Sequence, residues 1–185
     1  MAKSKYKTAI QEAINGISAN GSFASWFEIA EQLPSITVQD VGEIKYPLSQ
    51  DQAQKIIDKA HQAPFGKGSK TLVDTSVRKT WELDPELFNI DSPEWTAAVQ
   101  KMLDPIRERL GINENIRAVP YKMLVYEPGA FFKEHKDTNN KIPSMFGTMV
   151  LVLPSQHAGG HVRLRHADKE IIYPSDQSVA SVACW

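Results

Sequence analysis

The stretch Val119-Pro120-Tyr121-Lys122-Met123-Leu124-Val125-Tyr126 decides the fold class, because an apolar or aromatic side chain stands at every odd-numbered position. A period of two places alternate side chains on opposite faces of a β-strand. From this stretch to the last residue, Trp185, the pattern predicts only strands and turns. The predicted strands span residues 121–127, 131–135, 148–153, 161–166, 170–173 and 178–185.

Helical spacing dominates the sequence before this stretch. Residues 6–17 carry apolar side chains at helical intervals and predict an amphipathic helix whose apolar stripe covers the rest of the domain. A second predicted helix begins after the N-cap Ser49, with Gln52 in the position of a capping-box partner. A third begins after the N-cap Ser92 and stops at Gly111.

The order of these elements, helices first and then strands, favours an α+β fold with helices on one face of an antiparallel sheet. Between the helices, residues 35–47 predict one or two short strands, and the glycine-rich residues 65–70 predict a flexible loop. A chain of 185 residues is long enough for one domain with its own core. We expect residues 1–34 to form an N-terminal helical extension and residues 35–185 to form the domain.

The composition argues against several classes of protein. The 21 Lys and Arg residues balance the 22 Asp and Glu residues and are scattered, so we expect no nucleic-acid partner. The longest apolar run, residues 149–153, is far shorter than the roughly 20 residues that span a bilayer, so we expect no membrane insertion. A single cysteine, Cys184, and a start without the apolar core of a signal peptide indicate an intracellular protein, in the cytoplasm or the nucleus.

The segment Tyr126-Glu-Pro-Gly-Ala-Phe-Phe-Lys-Glu-His135-Lys-Asp137 carries residues that suit a metal site. His135 and Asp137 are two residues apart on a predicted strand, so their side chains point to the same face. One imidazole and one carboxylate are two members of the two-histidine, one-carboxylate set that binds Fe(II) and leaves positions open. Taken alone, a His-x-Asp triplet is common by chance, and its usual place is a solvated strand end.

Longer motifs surround this triplet. They are Tyr126-x-x-Gly129-x-x-Phe132-x-x-His135-x-Asp137-Thr138, Met145-Phe146-Gly147-Thr148-Met149-Val150-Leu151-Val152-Leu153-Pro154-Ser155, His157-Ala158-Gly159-Gly160, Ala63-Pro64-Phe65-Gly66-Lys67-Gly68, Val73-Asp74-Thr75-Ser76-Val77-Arg78 and Thr80-Trp81. In combination they resemble the prolyl 4-hydroxylase-like branch of the Fe(II)- and 2-oxoglutarate-dependent oxygenases. The resemblance runs from about Ser22 onward and is strongest to the domain near the N-terminus of large intracellular fungal proteins.

The resemblance implies a double-stranded β-helix, of the jelly-roll or cupin type, with flanking N-terminal helices. It implies Fe(II) held by His135, Asp137 and a histidine from a later strand, with 2-oxoglutarate as cosubstrate, O2 as oxidant and ascorbate as a supporting reductant. Tyr126 matches the tyrosine that reaches the cosubstrate carboxylate in prolyl 4-hydroxylases, and Thr148 lies in the strand that lines the same pocket. The implied reaction is hydroxylase-type oxidation of a C–H bond with release of succinate and CO2. The ordinary alternative for Tyr126 is a half-buried strand tyrosine.

The sequence departs from the family pattern in its last part. The family's distal histidine follows the strand predicted at residues 178–185, and a basic residue that pairs with 2-oxoglutarate comes later still; this sequence holds neither. After Asp137 it holds only His157, His161 and His166, which we expect to have local hydrogen bonds rather than a metal. The C-terminal strands of the β-helix are therefore expected to be missing. We expect these 185 residues to bind Fe(II) weakly and to turn over slowly or not at all.

Two other interpretations stay open. One is a catalytically inactive β-helix that serves as a binding or scaffold module, and the other is a fragment of a longer oxygenase. Only the oxygenase interpretation predicts Fe(II)-dependent succinate formation. Because the family closes its β-helix with later strands, we expect the strand at 178–185 to lie at an open sheet edge through which chains self-associate. The sequence does not indicate whether the substrate is a protein side chain or a small molecule.

Overall fold

The computed structural model describes residues 2–16, 21–29, 33–67, 70–90, 92–136, 143–176 and 180–185. Within these ranges the chain has three α-helices: α1 (Ala2–Asn15), α2 (Gln50–Ile57) and α3 (Pro93–Leu110). Among the described residues, none of the helices is long and apolar enough to cross a membrane.

Short strands make up most of the remaining regular structure. They are β1 (Ser25–Glu28), β2 (Thr37–Val38), β3 (Gly42–Glu43), β4 (His61–Gln62), β5 (Phe65–Lys67), β6 (Lys70–Leu72), β7 (Arg78–Lys79), β8 (Trp81–Leu83), β9 (Phe88–Asn89), β10 (Met123–Val125), β11 (Phe131–Phe132), β12 (Met149–Val152), β13 (Val162–His166), β14 (Lys169–Tyr173) and β15 (Ser181–Cys184). The paired strands are antiparallel and form sheets of two or three strands. This confirms the predicted α+β class, and the strands of the described ranges do not close into a barrel. Several strands lie between the helices, so the two kinds of element are less separated along the chain than predicted.

Helix α3 begins and ends where the sequence predicts. The hydroxyl of Ser92 accepts a hydrogen bond from the backbone N–H of Trp95 at 2.9 Å, which satisfies a donor that the first turn leaves unpaired. Gly111 ends the helix with a φ of 69°, a left-handed conformation that costs a glycine little. The buried face of α3 packs into a hydrophobic core that also contains residues of β15. This face consists of Trp95, Ala98, Met102, Leu103 and Ile106.

The sheet with the strand order β1-β15-β12 packs in the same core. Strand β15 is its central strand, because Val182 pairs with Phe27 on one side and with Leu151 on the other. All four residues of β15 are buried. The prediction that the last strand lies at an open sheet edge is therefore wrong: the unpredicted strand β1, from the segment 1–34, pairs with the side that was expected to be open. Self-association through β15 loses its structural basis.

Helix α2 is held against the chain that precedes it. The hydroxyl of Ser49 accepts a hydrogen bond from the backbone N–H of Gln52 at 3.2 Å, as predicted for an N-cap. The Gln52 side chain bonds to the preceding segment instead of making the reciprocal capping-box bond. Its Oε1 accepts from the backbone N–H of Lys45 at 2.9 Å, and its Nε2 donates to the carbonyl of Glu43 at 2.7 Å. The side chain thus links α2 to the β2–β3 hairpin, which confirms the strands predicted within residues 35–47.

A second hydrophobic core lies between α2 and the small sheets of the first half of the chain. Its apolar side chains come from β2, β8, α2 and the segments beside β2 and β3, so it fixes α2 relative to the strands that carry the candidate site. Its buried members are Ile36, Val38, Ile44, Ile56 and Leu83.

Two of these sheets position the candidate site. Strand β8 is the central strand of the sheet β4-β8-β10, and β7, which comes just before β8, pairs with β11. Arg78 on β7, Thr80 between the two strands and Glu82 on β8 stand at alternate positions and are 6%, 1% and 6% exposed. Alternate residues of an extended chain point to one face. These three residues therefore form a buried polar row.

Helix α1 does not cover the domain. Tyr6, Ile10 and Ile14, which form its apolar stripe, are 72%, 59% and 55% exposed. The predicted helix is present, but the predicted packing of its stripe is wrong for residues 6–16, and α3 instead covers the apolar face of the sheet β1-β15-β12.

The glycine-rich segment 65–70 was expected to be a flexible loop. Instead β5 and β6 form a hairpin in which Phe65 pairs with Leu72 and Gly66 with Thr71. Residues 68–69, a Gly-Ser pair, lie outside the described residues. A short glycine-containing connection between two extended segments is typical of a hairpin. The residues on either side of the glycines were therefore a signal for two paired strands, which the loop prediction overlooked.

Burial raises the pKa of Cys184 from its ordinary value of 9.0 to about 11. The folded chain thus keeps the thiol neutral where the unfolded chain ionises it, so the associated stability is complete below pH 9.0 and is lost as the pH rises towards 11. We expect the urea concentration at the midpoint of unfolding to fall as the pH rises over this range. In Cys184→Ala we expect this midpoint to fall less steeply. Burial also raises the pKa of Tyr46 to about 12. Tyr46 is present in both proteins, so it adds the same loss of stability to both at higher pH. Parallel curves for the two proteins would show that Cys184 is not the group responsible.

Candidate functional site

The segment that carries His135 leaves the sheet earlier than predicted. Strand β11 ends at Phe132, although the backbone N–H of Lys133 still donates to the carbonyl of Val77 at 3.0 Å. The strand predicted over residues 131–135 is therefore shorter than expected, and strand alternation cannot place His135 and Asp137 on one face. Asp137 lies outside the described residues, so its position beside His135 stays a prediction.

The His135 ring contacts a backbone carbonyl and an aromatic ring. Its Nδ1 lies 2.8 Å from the carbonyl oxygen of Lys133. A carbonyl oxygen only accepts hydrogen bonds, so Nδ1 must carry the proton. In the neutral ring the lone pair then lies on Nε2. The ring also stacks on Phe132, with the two centroids 3.6 Å apart and an angle of 18° between the planes. This exposed imidazole thus has a defined tautomer and a defined plane.

The two predicted cosubstrate residues lie beside different sheets. Tyr126 follows β10 and is 51% exposed. Thr148 precedes β12, and its backbone N–H donates to the carbonyl of Trp185 at 2.8 Å while its carbonyl accepts from the N–H of Trp185 at 3.1 Å. These two bonds extend the pairing of β12 with β15. Contact of Tyr126 or Thr148 with 2-oxoglutarate stays a prediction.

Of the three later histidines, His157 has the local hydrogen bond that was expected, whereas His161 and His166 have contacts of other kinds. The contacts are the carbonyl of Ser155 for His157 at 2.8 Å, the carboxylate of Asp176 for His161 at 3.8 Å, and the ring of Phe23 for His166, with centroids 5.5 Å apart. His166 lies on the face of β13 opposite Arg165, since the two are neighbours on the strand.

A group of buried charges lies on β7, on β8 and just before β10. The Glu82 carboxylate forms an ion pair with the Lys122 ammonium, at 2.6 Å, and lies 3.7 Å from the Arg78 guanidinium. Arg78 also donates to the carbonyl of Pro64 at 2.6 Å, and its guanidinium carbon lies 4.5 Å from the centroid of the Phe132 ring. We call Arg78, Glu82 and Lys122 the buried charge cluster.

This cluster was not predicted from the sequence. The available signal was the alternation of polar side chains at Arg78, Thr80 and Glu82. In most strands such a pattern marks the face that contacts water, because charged side chains are seldom fully buried. Here the row faces inward, and the Lys122 side chain is only 15% exposed.

No protein-family model, curated protein or solved structure matches the chain. The function must therefore be argued from the residues themselves.

His61, Glu82 and Asp84 form a second group of potential metal ligands. One ligand atom from each lies within 4.8 Å of the others, and His61 and Glu82 are cross-strand partners in β4 and β8. However, the Glu82 carboxylate already bonds to Lys122 and lies close to Arg78. A divalent cation would meet these two positive charges, which weaken its attraction to the carboxylates. The group lacks the excess negative charge that favours a cation.

The segment that carries His135 is also tied to β13. The Arg165 guanidinium contacts Glu134, the neighbour of His135, at 3.2 Å, and it donates to the carboxylate of Glu170 at 2.8 Å. Hydrogen bonding to Glu170 raises the pKa of Arg165. All three charged side chains are exposed. Exposed ion pairs stabilise a fold only slightly, so this link contributes little to the stability of the segment.

Proposed function

We propose that the chain is a prolyl 4-hydroxylase-like, Fe(II)- and 2-oxoglutarate-dependent oxygenase domain in which His135 and Asp137 bind the iron. The observation that carries the proposal is the fixed tautomer and plane of His135, two residues before a carboxylate. Histidines that bind metals almost always donate their other ring N–H to a carbonyl or a carboxylate, as His135 does to Lys133. Nε2 would be the coordinating atom.

The residues of the chain fit part of the ligand set. His135 supplies an imidazole nitrogen and Asp137 supplies a carboxylate, which are two of the three protein ligands of a facial triad. Tyr126 and Thr148 would contact the cosubstrate. When bound, Fe(II) and 2-oxoglutarate supply the oxidation of a substrate C–H bond, with O2 as oxidant and succinate and CO2 as products. The chain's own part is to hold the ligands and to orient the cosubstrate.

The double-stranded β-helix belongs to the same proposal. The sheets β1-β15-β12 and β4-β8-β10 would each contribute to one of its two layers, with the helices outside. The antiparallel pairing of these sheets supports this arrangement. The segment of His135 follows β11, whose partner β7 continues directly into β8. In this arrangement the proposed iron ligand would lie at the border of the second layer.

The proposal predicts that His135→Ala weakens the binding of Fe(II) in the presence of 2-oxoglutarate by about a hundredfold or more, because the loss of an outer partner of a metal ligand already costs roughly 10–100-fold. Anaerobic calorimetry and the charge-transfer absorption of the complex between Fe(II) and 2-oxoglutarate are the measurements. With two protein ligands the affinity of the unchanged chain should be low, so high protein concentrations are required. Succinate release measured beside the binding reports whether turnover accompanies it.

A matched control is His157→Ala. His157 makes the same bond to a carbonyl two residues earlier, that of Ser155 at 2.8 Å, but has a glycine where His135 has Asp137. We expect this variant to bind Fe(II) like the unchanged chain. Equal losses in the two variants would contradict the proposal, because binding would then depend on imidazoles in general. His166→Ala should also leave the affinity unchanged, and a large loss there would identify His166 as a third ligand.

A further inference from the structure

Arg78 is buried although it lies in a two-stranded sheet. It is 6% exposed, and its cross-strand partner in β11 is Phe132. Buried arginines are rare and are normally paired. The carbonyl of Pro64 and the carboxylate of Glu82 contact its guanidinium, and Lys122 holds the same carboxylate. The Pro64 carbonyl and the Glu82 carboxylate therefore hold the guanidinium beside Phe132.

Phe132 is contacted by two planar groups. The His135 ring centroid lies 3.6 Å from the Phe132 centroid, nearly parallel to it, and the guanidinium carbon of Arg78 lies over the same ring at 4.5 Å. One face of a phenyl ring has no room for two stacked groups at these distances, because they would overlap. The guanidinium, the phenyl ring and the imidazole must therefore form three successive layers. We call this arrangement the Arg78 stack.

We infer that Arg78 is a positioning residue that holds the plane of the His135 ring through Phe132. The role of this positioning in metal binding rests on the proposed function, whereas the positioning itself does not. A cation over the face of an aromatic ring is attracted by the ring quadrupole, so Arg78 restrains the tilt of Phe132. The opposite face of Phe132 then restrains His135. A metal ligand has to be held within about 10–20° of its productive orientation by the groups around it.

One orphan atom agrees with this role. Among the described residues, the Nε–H of Arg78 is buried and has no hydrogen-bond partner. A guanidinium placed only to satisfy charge would be expected to use its buried donors, because an unmade buried hydrogen bond is costly. Here the guanidinium lies over the phenyl ring with this donor unused, and Oε2 of Glu82, 3.7 Å from the guanidinium, is also without a hydrogen-bond partner among the described residues.

The test compares Arg78→Met with the matched control Lys122→Met. Both substitutions remove one cation from the buried charge cluster, but the Arg78 guanidinium lies over Phe132 whereas the Lys122 ammonium lies over Tyr121. Nuclear magnetic resonance of the metal-free protein reports on the imidazole directly, because the face of Phe132 shifts the His135 ring protons upfield. We expect Arg78→Met to move these signals towards those of a free histidine and Lys122→Met to leave them in place.

Metal affinity supplies a second measurement. Arg78→Met should weaken the binding of Fe(II), measured with 2-oxoglutarate present, about tenfold, as the loss of an outer partner of a metal ligand does. Lys122→Met should not weaken it. If Arg78→Met prevents folding, the variants Phe132→Leu and Phe132→Tyr test the inference instead. Leucine removes the stacking ring, and tyrosine keeps it. Leucine should release the His135 signals and tyrosine should keep them.

The outcomes separate this inference from the proposed function. Equal displacement of the His135 signals by Arg78→Met and Lys122→Met would overturn the inference, because the effect would then come from the cluster as a whole. Unchanged His135 signals in Phe132→Leu would overturn it as well. Released His135 signals in Arg78→Met, together with an unchanged chain that binds no Fe(II), would support the positioning and refute the iron site.

Discussion

The substitution Val182→Asp should leave the chain largely unfolded even without denaturant. Val182 is fully buried in the central strand of the sheet β1-β15-β12 and belongs to the core that also contains the buried face of α3. A carboxylate there would be buried without a partner, which costs several kcal/mol. Domains are stable by only about 5–15 kcal/mol in total, so one such change can remove most of the free energy of unfolding. Circular dichroism and urea titration measure the loss.

Ile172→Asp is the control for this experiment. Ile172 lies on β14 and is 44% exposed, so its carboxylate can remain in water. We expect a change of about 0.5 kcal/mol or less, as for most surface substitutions. If Val182→Asp unfolded at the same urea concentration as Ile172→Asp, β15 could not be a buried central strand.

The substitution Glu82→Ala should destabilise the chain by about 3–5 kcal/mol, because it leaves the cations of Arg78 and Lys122 buried without their carboxylate. Urea titration at neutral pH measures the loss. The matched control is Glu170→Ala, which removes a carboxylate from the exposed guanidinium of Arg165. Exposed ion pairs contribute about 0–1 kcal/mol, so this control should unfold almost like the unchanged chain.

A double variant tests the cause of the loss. Removing Lys122 as well, in Glu82→Ala with Lys122→Met, eliminates one of the two uncompensated charges. Coupled residues do not act additively, and the double variant should be more stable than the sum of the single losses predicts. Strict additivity, or equal losses in Glu82→Ala and Glu170→Ala, would show that the buried charges are not energetically linked.

The elements with strong local signals could be predicted from the sequence. Helix α3 has an N-cap serine, a proline in its first turn and a glycine stop, and all three signals are local. The strands of the second half were located to within a few residues, because alternation and turn residues are also local. Their pairing partners could not be predicted in the same way, since strand pairing depends on residues far apart in the chain.

Strand β1 shows the limit most clearly. Its four residues, Ser-Trp-Phe-Glu, have no distinctive alternation, and their burial depends on β15. The burial of Arg78, Thr80 and Glu82 was missed for a related reason. Whether a polar row faces inward depends on how neighbouring sheets pack against it, and that packing involves residues far away in the sequence. Periodicity reveals which residues share a face but does not reveal which face is buried.

The candidate site was only partly predictable. The motif spacing directed attention to His135, but the bond from its ring to Lys133 depends on the segment leaving β11 after Phe132. The Arg78 stack depends on the cross-strand pairing of Arg78 with Phe132, two residues that are distant in sequence. A sequence pattern contains no information on that register.

The position of β15 between β1 and β12 also determines when this sheet can form during synthesis. Ser25 and Cys184 are register partners, so the sheet joins segments separated by nearly the whole sequence. Contacts of such high order are slow to form, because the entropy of closing a long loop must be lost before the strands pair. While the ribosome is still making the intervening residues, β1 and β12 both lack the strand that lies between them. Their unpaired edges then make the nascent chain prone to aggregation and a target for chaperones until β15 has emerged.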